Sequence, residues 1–247
     1  MRRRKLKIQQ SIAGMNQSKI KRYQHLIIGS EKVSELVLIE LVTTLLSWIP
    51  GALGIYLRSK FYPLVLGGVG KGTVFGTNVV LRHPRKIKIG ENVVVDDNVM
   101  LDAKGHDNTG IIIEDESFIG RNSILSCKGG DIILGERANI GFNCEIFSSS
   151  RVVIGKDALI AAYCYLVGGG GYRLDNTDIP INQQPDFEGK GGITLNDNIW
   201  LGTKCVVLDG VTIGRGSVIA AGSLVNSDVP EMVIAAGTPA EIIKKRG

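Results

Sequence analysis

The sequence is poor in several residues that other architectures depend on. Aromatic side chains make up 6% of 247 residues, so the core is built from something other than large rings. Four cysteines without any C-x-x-C pair support neither a disulfide framework nor a zinc knuckle. There are three histidines, which leaves little material for imidazole-based metal sites. The longest helical apolar run, Leu36 to Ile49 before Pro50, falls short of the ~20 residues that cross a bilayer, and it contains Glu40. No small-residue cleavage site follows it, so it does not fit a secretory signal peptide. Hydrophobic residues are nonetheless 44% of the chain, which excludes a disordered one. The 32 glycines, about 13% against an ordinary ~7%, indicate many tight turns around a narrow aliphatic core.

The net charge of +5 is uneven. Arg2, Arg3, Arg4, Lys5, Lys7, Lys19, Lys21 and Arg22 give residues 1–30 a charge of +8 with no acid, and the remainder is −3. An acidic body without an aromatic-basic stripe excludes a nucleic-acid surface. Residues 1–66 combine this tail with apolar helical segments. They fit either an interfacial anchor on an anionic membrane or a helical cap on the rest of the protein.

From residue 89 onward an aliphatic residue followed by a small or acidic one recurs every sixth position. Triplets begin at Ile89, Ile113, Leu134, Ile154, Leu195 and Ile213, and within each the spacing is six. Phe75, Leu81 and Ile87 form a weaker echo that predicts a partial opening coil. Three such steps make an 18-residue coil with three short faces, stacked into a prism. Extra residues all fall after the third face, so every insertion emerges at one corner. The longest, 168–192, is an arm of the kind that carries function. Cys144, Cys164 and Cys205 share one inward register and read as core thiols.

These hexapeptides, with Ile199-Trp-Leu-Gly, Leu208-Asp-Gly-Val-Thr-Ile-Gly, Ile219-Ala-Ala-Gly-Ser, Asp228-Val-Pro and Ala236-Gly-Thr-Pro-Ala, resemble the left-handed β-helix acyltransferases. Within that family the pattern is closest to maltose, galactoside and polysaccharide O-acetyltransferases. The resemblance spans about 70–247. It implies an all-β, left-handed parallel β-helix over 67–228, after the helical segment 1–66 and before a C-terminal segment 229–247. The left hand comes from the resemblance alone, because ordinary parallel crossovers are right-handed. It also implies a homotrimer and acetyl-coenzyme A or another acyl-coenzyme A as co-substrate, with no metal. The acceptor would be a sugar, small or lipid-linked, and the location cytoplasmic or peripheral on the inner face of the cytoplasmic membrane.

Acyl transfer needs a base for the acceptor and donors for the oxyanion. Carried across, the family's base histidine falls on Gly171, or on Tyr172 if the arm slides by one residue, and its companion asparagine falls on Gly141. The remaining candidates are His106, with Asp102 or Asp107 to orient it, and Tyr172. For the donor, Trp200 would lie along the pantetheine arm with Thr203 and Ala221 nearby. Lys244, beside Lys245 and Arg246, would meet the nucleotide phosphates. Asn226-Ser227 and Glu241 stand where the sugar enzymes carry basic residues. Two functions follow: an acyltransferase acting on a sugar or surface-polysaccharide precursor, or a catalytically degenerate trimeric scaffold. The carbonic anhydrases of the same fold need three zinc-binding histidines, two of them close in sequence, and this chain has no close pair.

Overall fold

The computed structural model describes residues 18–185 and 189–247, so the first five of the eight basic tail residues lie outside it. Three faces of parallel strands stack along one axis. Seven strands from Gly68–Val69 to Thr212–Ile213 form the first face, and seven from Val80–Arg82 to Leu224–Val225 form the third. The second face runs from Val74–Phe75 to Val218–Ile219 and then takes in Val233–Gly237 and Ala240–Lys245. Up to Leu224–Val225 successive neighbours within a face are three strands apart along the chain, as a three-sided parallel β-helix requires.

The six-residue anchors point inward. Val95, Leu101, Ile119, Leu125, Ile140, Ile146, Ile160 and Leu166 have no exposed surface. The opening coil is complete rather than partial: Val69, Phe75 and Leu81 keep the same spacing, and Gly68–Val69 pairs with Lys88–Ile89. Val69 is half-buried among glycines, which hides the pattern in the sequence. At the other end the coil path continues beyond residue 228. Val229 bridges to Ile213, and Val233–Gly237 joins the second face before Ala240–Lys245 folds back antiparallel.

Corners turn through single residues in the left-handed region, often asparagine, as at Asn92, Asn98, Asn122, Asn143 and Asn198. Asparagine tolerates that conformation better than most residues. At the second corner a row of small hydrogen-bond donors faces inward. Ser123 Oγ donates to Gly141 O at 2.9 Å. The thiols of Cys144, Cys164 and Cys205 then reach Ala161 O, Gly202 O and Ala220 O at 3.2, 3.2 and 3.1 Å. These side chains fill the corner and satisfy carbonyls that the turn leaves unpaired, which accounts for their size and polarity. Burial pushes the thiol of Cys127 up to about 12, and neighbouring Cys144 raises that of Cys164. All four thiols are buried. We therefore expect a thiol-specific chromogenic reagent to label none in the native protein and all four after denaturation.

The N-terminal residues cap the first coil. Among the described residues three α-helices, α1 (Lys19–Tyr23), α2 (Val33–Leu46) and α3 (Gly51–Phe61), precede it. Ile39, Val42, Tyr62, Val65 and Leu66 are buried, and the Tyr62 ring packs 5.1 Å from Phe75. The guanidinium of Arg58, fully buried, donates to Leu46 O, Ile49 O and Phe75 O at 3.0, 2.7 and 3.0 Å. It thus closes the end of α2 and ties it to the first coil. The other face of α2 is uncovered: Val33, Val37, Leu41 and Leu45 follow one another at helical spacing and are each more than half exposed. No helix among the described residues is long and apolar enough to cross a membrane.

Candidate active site

The predicted donor residues converge on the second face. Trp200 points outward and is 49% exposed. Its strand register runs through Val218 and Ile234 to Lys244, three strand spacings or roughly 14 Å away. Thr203 and Ala221 sit at the adjacent second corner of two successive coils, both exposed. A side chain at Gly202 would stand 2.5 Å from Ala221 N, so only glycine lets these coils close beneath the pair. Thr203 Oγ1 donates to Ala162 O at 2.7 Å and is thereby fixed in place.

The same corner carries residues that the sequence reading missed. Phe142 and Tyr163 meet edge to face at 5.9 Å, with Arg121 over the Phe142 ring at 5.4 Å. Leu159 and Tyr165 extend the patch, and all five, Arg121 included, are at least one-third exposed. Their signal was available: in a chain with few aromatics, these occupy outward positions of the hexapeptides, where packing of the prism does not call for them.

The proposed proton carriers are not gathered in one place. His106 lies on the exposed 103–110 loop at the third corner of the second coil. Lys86 Nζ holds that loop through Gly105 O, His106 O and Asn108 Oδ1. Asp102 turns elsewhere: its carboxylate lies 3.5 Å from Arg82 and accepts the Lys104 N–H at 3.2 Å. His106 instead meets His25, with ring centroids 5.2 Å apart. Four coils, roughly 19 Å along the axis at about 4.8 Å each, separate it from Trp200. Tyr172 is exposed on the arm at the third corner of the fifth coil, beside Gly171 and one coil from Trp200. The arm is pinned by Arg173 N–H to Pro185 O, by Gln184 Nε2 to Asn176 O, and by Asp209, which accepts the Lys190 and Gly192 N–H groups.

His83 is buried, with backbone in the left-handed region (φ 52°) and Nε2–H donating to His25 O at 3.0 Å. Burial lowers its pKa; the His25 carbonyl and Asp102 oppose this, and Lys86 and Lys104 reinforce it. The unfolded chain takes up this proton near pH ~6.5, while the folded protein resists it. Stability from His83 is therefore complete above that pH and is lost as pH falls below it. The thermal midpoint should drop between about pH 7 and 5. His83→Asn, which tolerates the same backbone, should flatten that part of the profile.

Comparison with known proteins agrees with this geometry. The family model described as the hexapeptide repeat of succinyl-transferase matches residues 68–103, 131–167 and 192–227. The galactoside O-acetyltransferase of Escherichia coli is 29% identical over 66% of this chain and 80% of its own length. That of Lactococcus lactis is 33% identical over 43% of this chain and 53% of its own. A Mycobacterium tuberculosis relative, 30% identical, is spanned over 42% of its length. The chain therefore spans only about half of some relatives it matches. Among solved structures, the N-acyltransferase AntD of Bacillus cereus, in complex with dTDP and 3-hydroxybutyryl-CoA, superposes with a TM-score of 0.53. The match covers 78% of this chain and 90% of that one at 19% identity, a likeness of fold.

Proposed function

Because this chain belongs to the left-handed β-helix, hexapeptide-repeat acyltransferases, we propose that it moves an acyl group, acetyl in the simplest case, from coenzyme A to a sugar hydroxyl or amine. The observation that carries this reading is the outward strip from Trp200 to Lys244. Its length suits an extended pantetheine, with Trp200 against the chain and Lys244 toward the phosphates. Coenzyme A supplies the activated thioester. The acceptor oxygen or nitrogen attacks the thioester carbonyl carbon, its proton passes to a base, and the carbon–sulfur bond breaks to release the free thiol. Tyr172 stands at nearly the height of this strip. His106 does not, and a symmetry axis parallel to the solenoid would preserve its offset. On this reading Tyr172 is the proton carrier, delivered by the arm of a neighbouring subunit, and the exposed Phe142, Leu159, Tyr163 and Tyr165 patch supports a homotrimer.

Calorimetric titration with coenzyme A tests the strip. The native chain should bind, and Trp200→Ala should weaken binding about tenfold, the worth of one aromatic contact. Gly171, in place of a base, favours the second reading, a trimeric scaffold; absence of any coenzyme A binding would establish that reading instead.

The uncovered face of α2, with Trp48, Leu53 and Tyr56 also exposed and the exposed Lys32 and Lys60 flanking α2 and α3 in sequence, supports peripheral contact with an anionic membrane. A lipid-linked acceptor on the inner leaflet fits that placement. Flotation with anionic liposomes should carry the chain, and Leu41→Glu with Leu45→Glu should leave it in the dense fraction.

A further inference from the structure

The geometry points to a second ligand site, separate from the acyl-transfer strip: a phosphate-binding cavity between the N-terminal segment and the third corner of the first two coils. It encloses about 560 Å³ and gathers all three histidines of the chain, from positions 25, 83 and 106. Three unrelated devices bring them there. A π-helical turn, Gln24–Ile28, presents His25; a left-handed residue turns His83 inward; and the 103–110 loop, held by Lys86, presents His106.

The lining consists of donors. Gln24 is 4% exposed, lines the cavity, and its Nε2 meets no acceptor among the described residues. A buried amide left unpaired costs about 1–3 kcal/mol, an unmet need in the cavity wall that pairing with an acceptor would relieve. Lys21 and Lys104 add two positive charges whose ammonium groups make no hydrogen bond among the described residues, and the rings of His25 and His106 face the same space. Glu31 is the one acid in the lining. His83 forms a wall, because its Nε2–H is spent on His25 O. Several donors and a positive balance, with Glu31 the one carboxylate among them, call for an anion with more than two oxygens, which favours phosphate over carboxylate. The volume exceeds what inorganic phosphate fills and suits a phosphorylated small molecule or a phosphate headgroup. His106, too far from Trp200 for acyl transfer, thereby acquires a role as a phosphate ligand. This inference does not depend on the acyltransferase reading.

The three imidazoles report on the site directly, since the chain has no others. Imidazole NMR spectra of the full chain should shift for all three histidines on addition of inorganic pyrophosphate, and not with chloride at equal ionic strength. Vesicles containing phosphatidic acid form a second arm: shifts with both, or with vesicles alone, identify a free or a lipid-borne phosphate as the source. Lys104→Ala, at an exposed position, should weaken pyrophosphate or vesicle-induced shifts about tenfold. Gln24→Leu should do the same while keeping or raising the thermal midpoint, because it removes an unpaired amide. Spectra unmoved by either phosphate source, or shifts that survive both substitutions, would overturn the proposal.

Discussion

Replacing Arg58 with alanine is expected to cost about 3–5 kcal/mol and to detach the helical cap from the first coil. Three carbonyls depend on this one guanidinium, two at the end of α2 and one on the first coil. Each buried carbonyl left without a donor costs about 1–3 kcal/mol, and the missing side chain adds a void. A positive charge at the C-terminal end of a helix also interacts favourably with the negative end of its dipole, and alanine forfeits that as well. Lysine should recover only part of the loss, because a single ammonium cannot reproduce the planar fork. In a solenoid each coil touches only its neighbours, so the damage should stay local. Hydrogen exchange should show Arg58→Ala deprotecting residues 69–82 while 131–167 remain protected. A uniform loss of protection, or none, would show that Arg58 does not fasten the cap.

Gly192→Ala should be nearly as damaging, at about 3–5 kcal/mol, but at the base of the arm. Gly192 sits at φ +99°, and an added Cβ would lie 1.9 Å from Arg151 O. Its N–H donates to Asp209, and its carbonyl accepts from Gly210 N at 2.6 Å, so the backbone cannot shift without breaking both. The arm would lose its return point, and Tyr172 its position. Urea unfolding should show the lost stability, and limited proteolysis should cut the variant within the arm while sparing the coils. A native midpoint and an intact arm would contradict this account of how the arm is held.

The coils were legible because their physics is periodic. An inward aliphatic residue every sixth position, a row of small residues at the second corner, and insertions confined to the third corner can all be read from spacing. Cys144, Cys164 and Cys205 occupy the core row that the register predicts. The opening coil was less legible, because Val69 stands among glycines and its burial is shared with the cap. In α2 apolar residues occur all round, so the sequence does not say that Ile39 and Val42 turn inward while Val37 and Leu41 stay bare. The meeting of His25, His83 and His106 left no local signal. It depends on one π-helical turn and one left-handed residue bringing together positions up to 81 residues apart. For the proposed donor strip the family resemblance pointed to Trp200, Thr203, Ala221 and Lys244, and the strand register puts Trp200 and Lys244 in one line. No such pattern was available for the base, since Gly171 interrupts it.

The most direct test of the central claim is acceptor-dependent turnover of acetyl-coenzyme A by the full chain against a panel of hexopyranosides and amino sugars. Thiol release should be followed spectroscopically and the products by mass. The account predicts release of coenzyme A only when an acceptor is present, one acetyl group added per thiol freed, and about a tenfold loss of kcat/KM in Trp200→Ala. Coenzyme A that binds to the strip and is never turned over with any acceptor would contradict it.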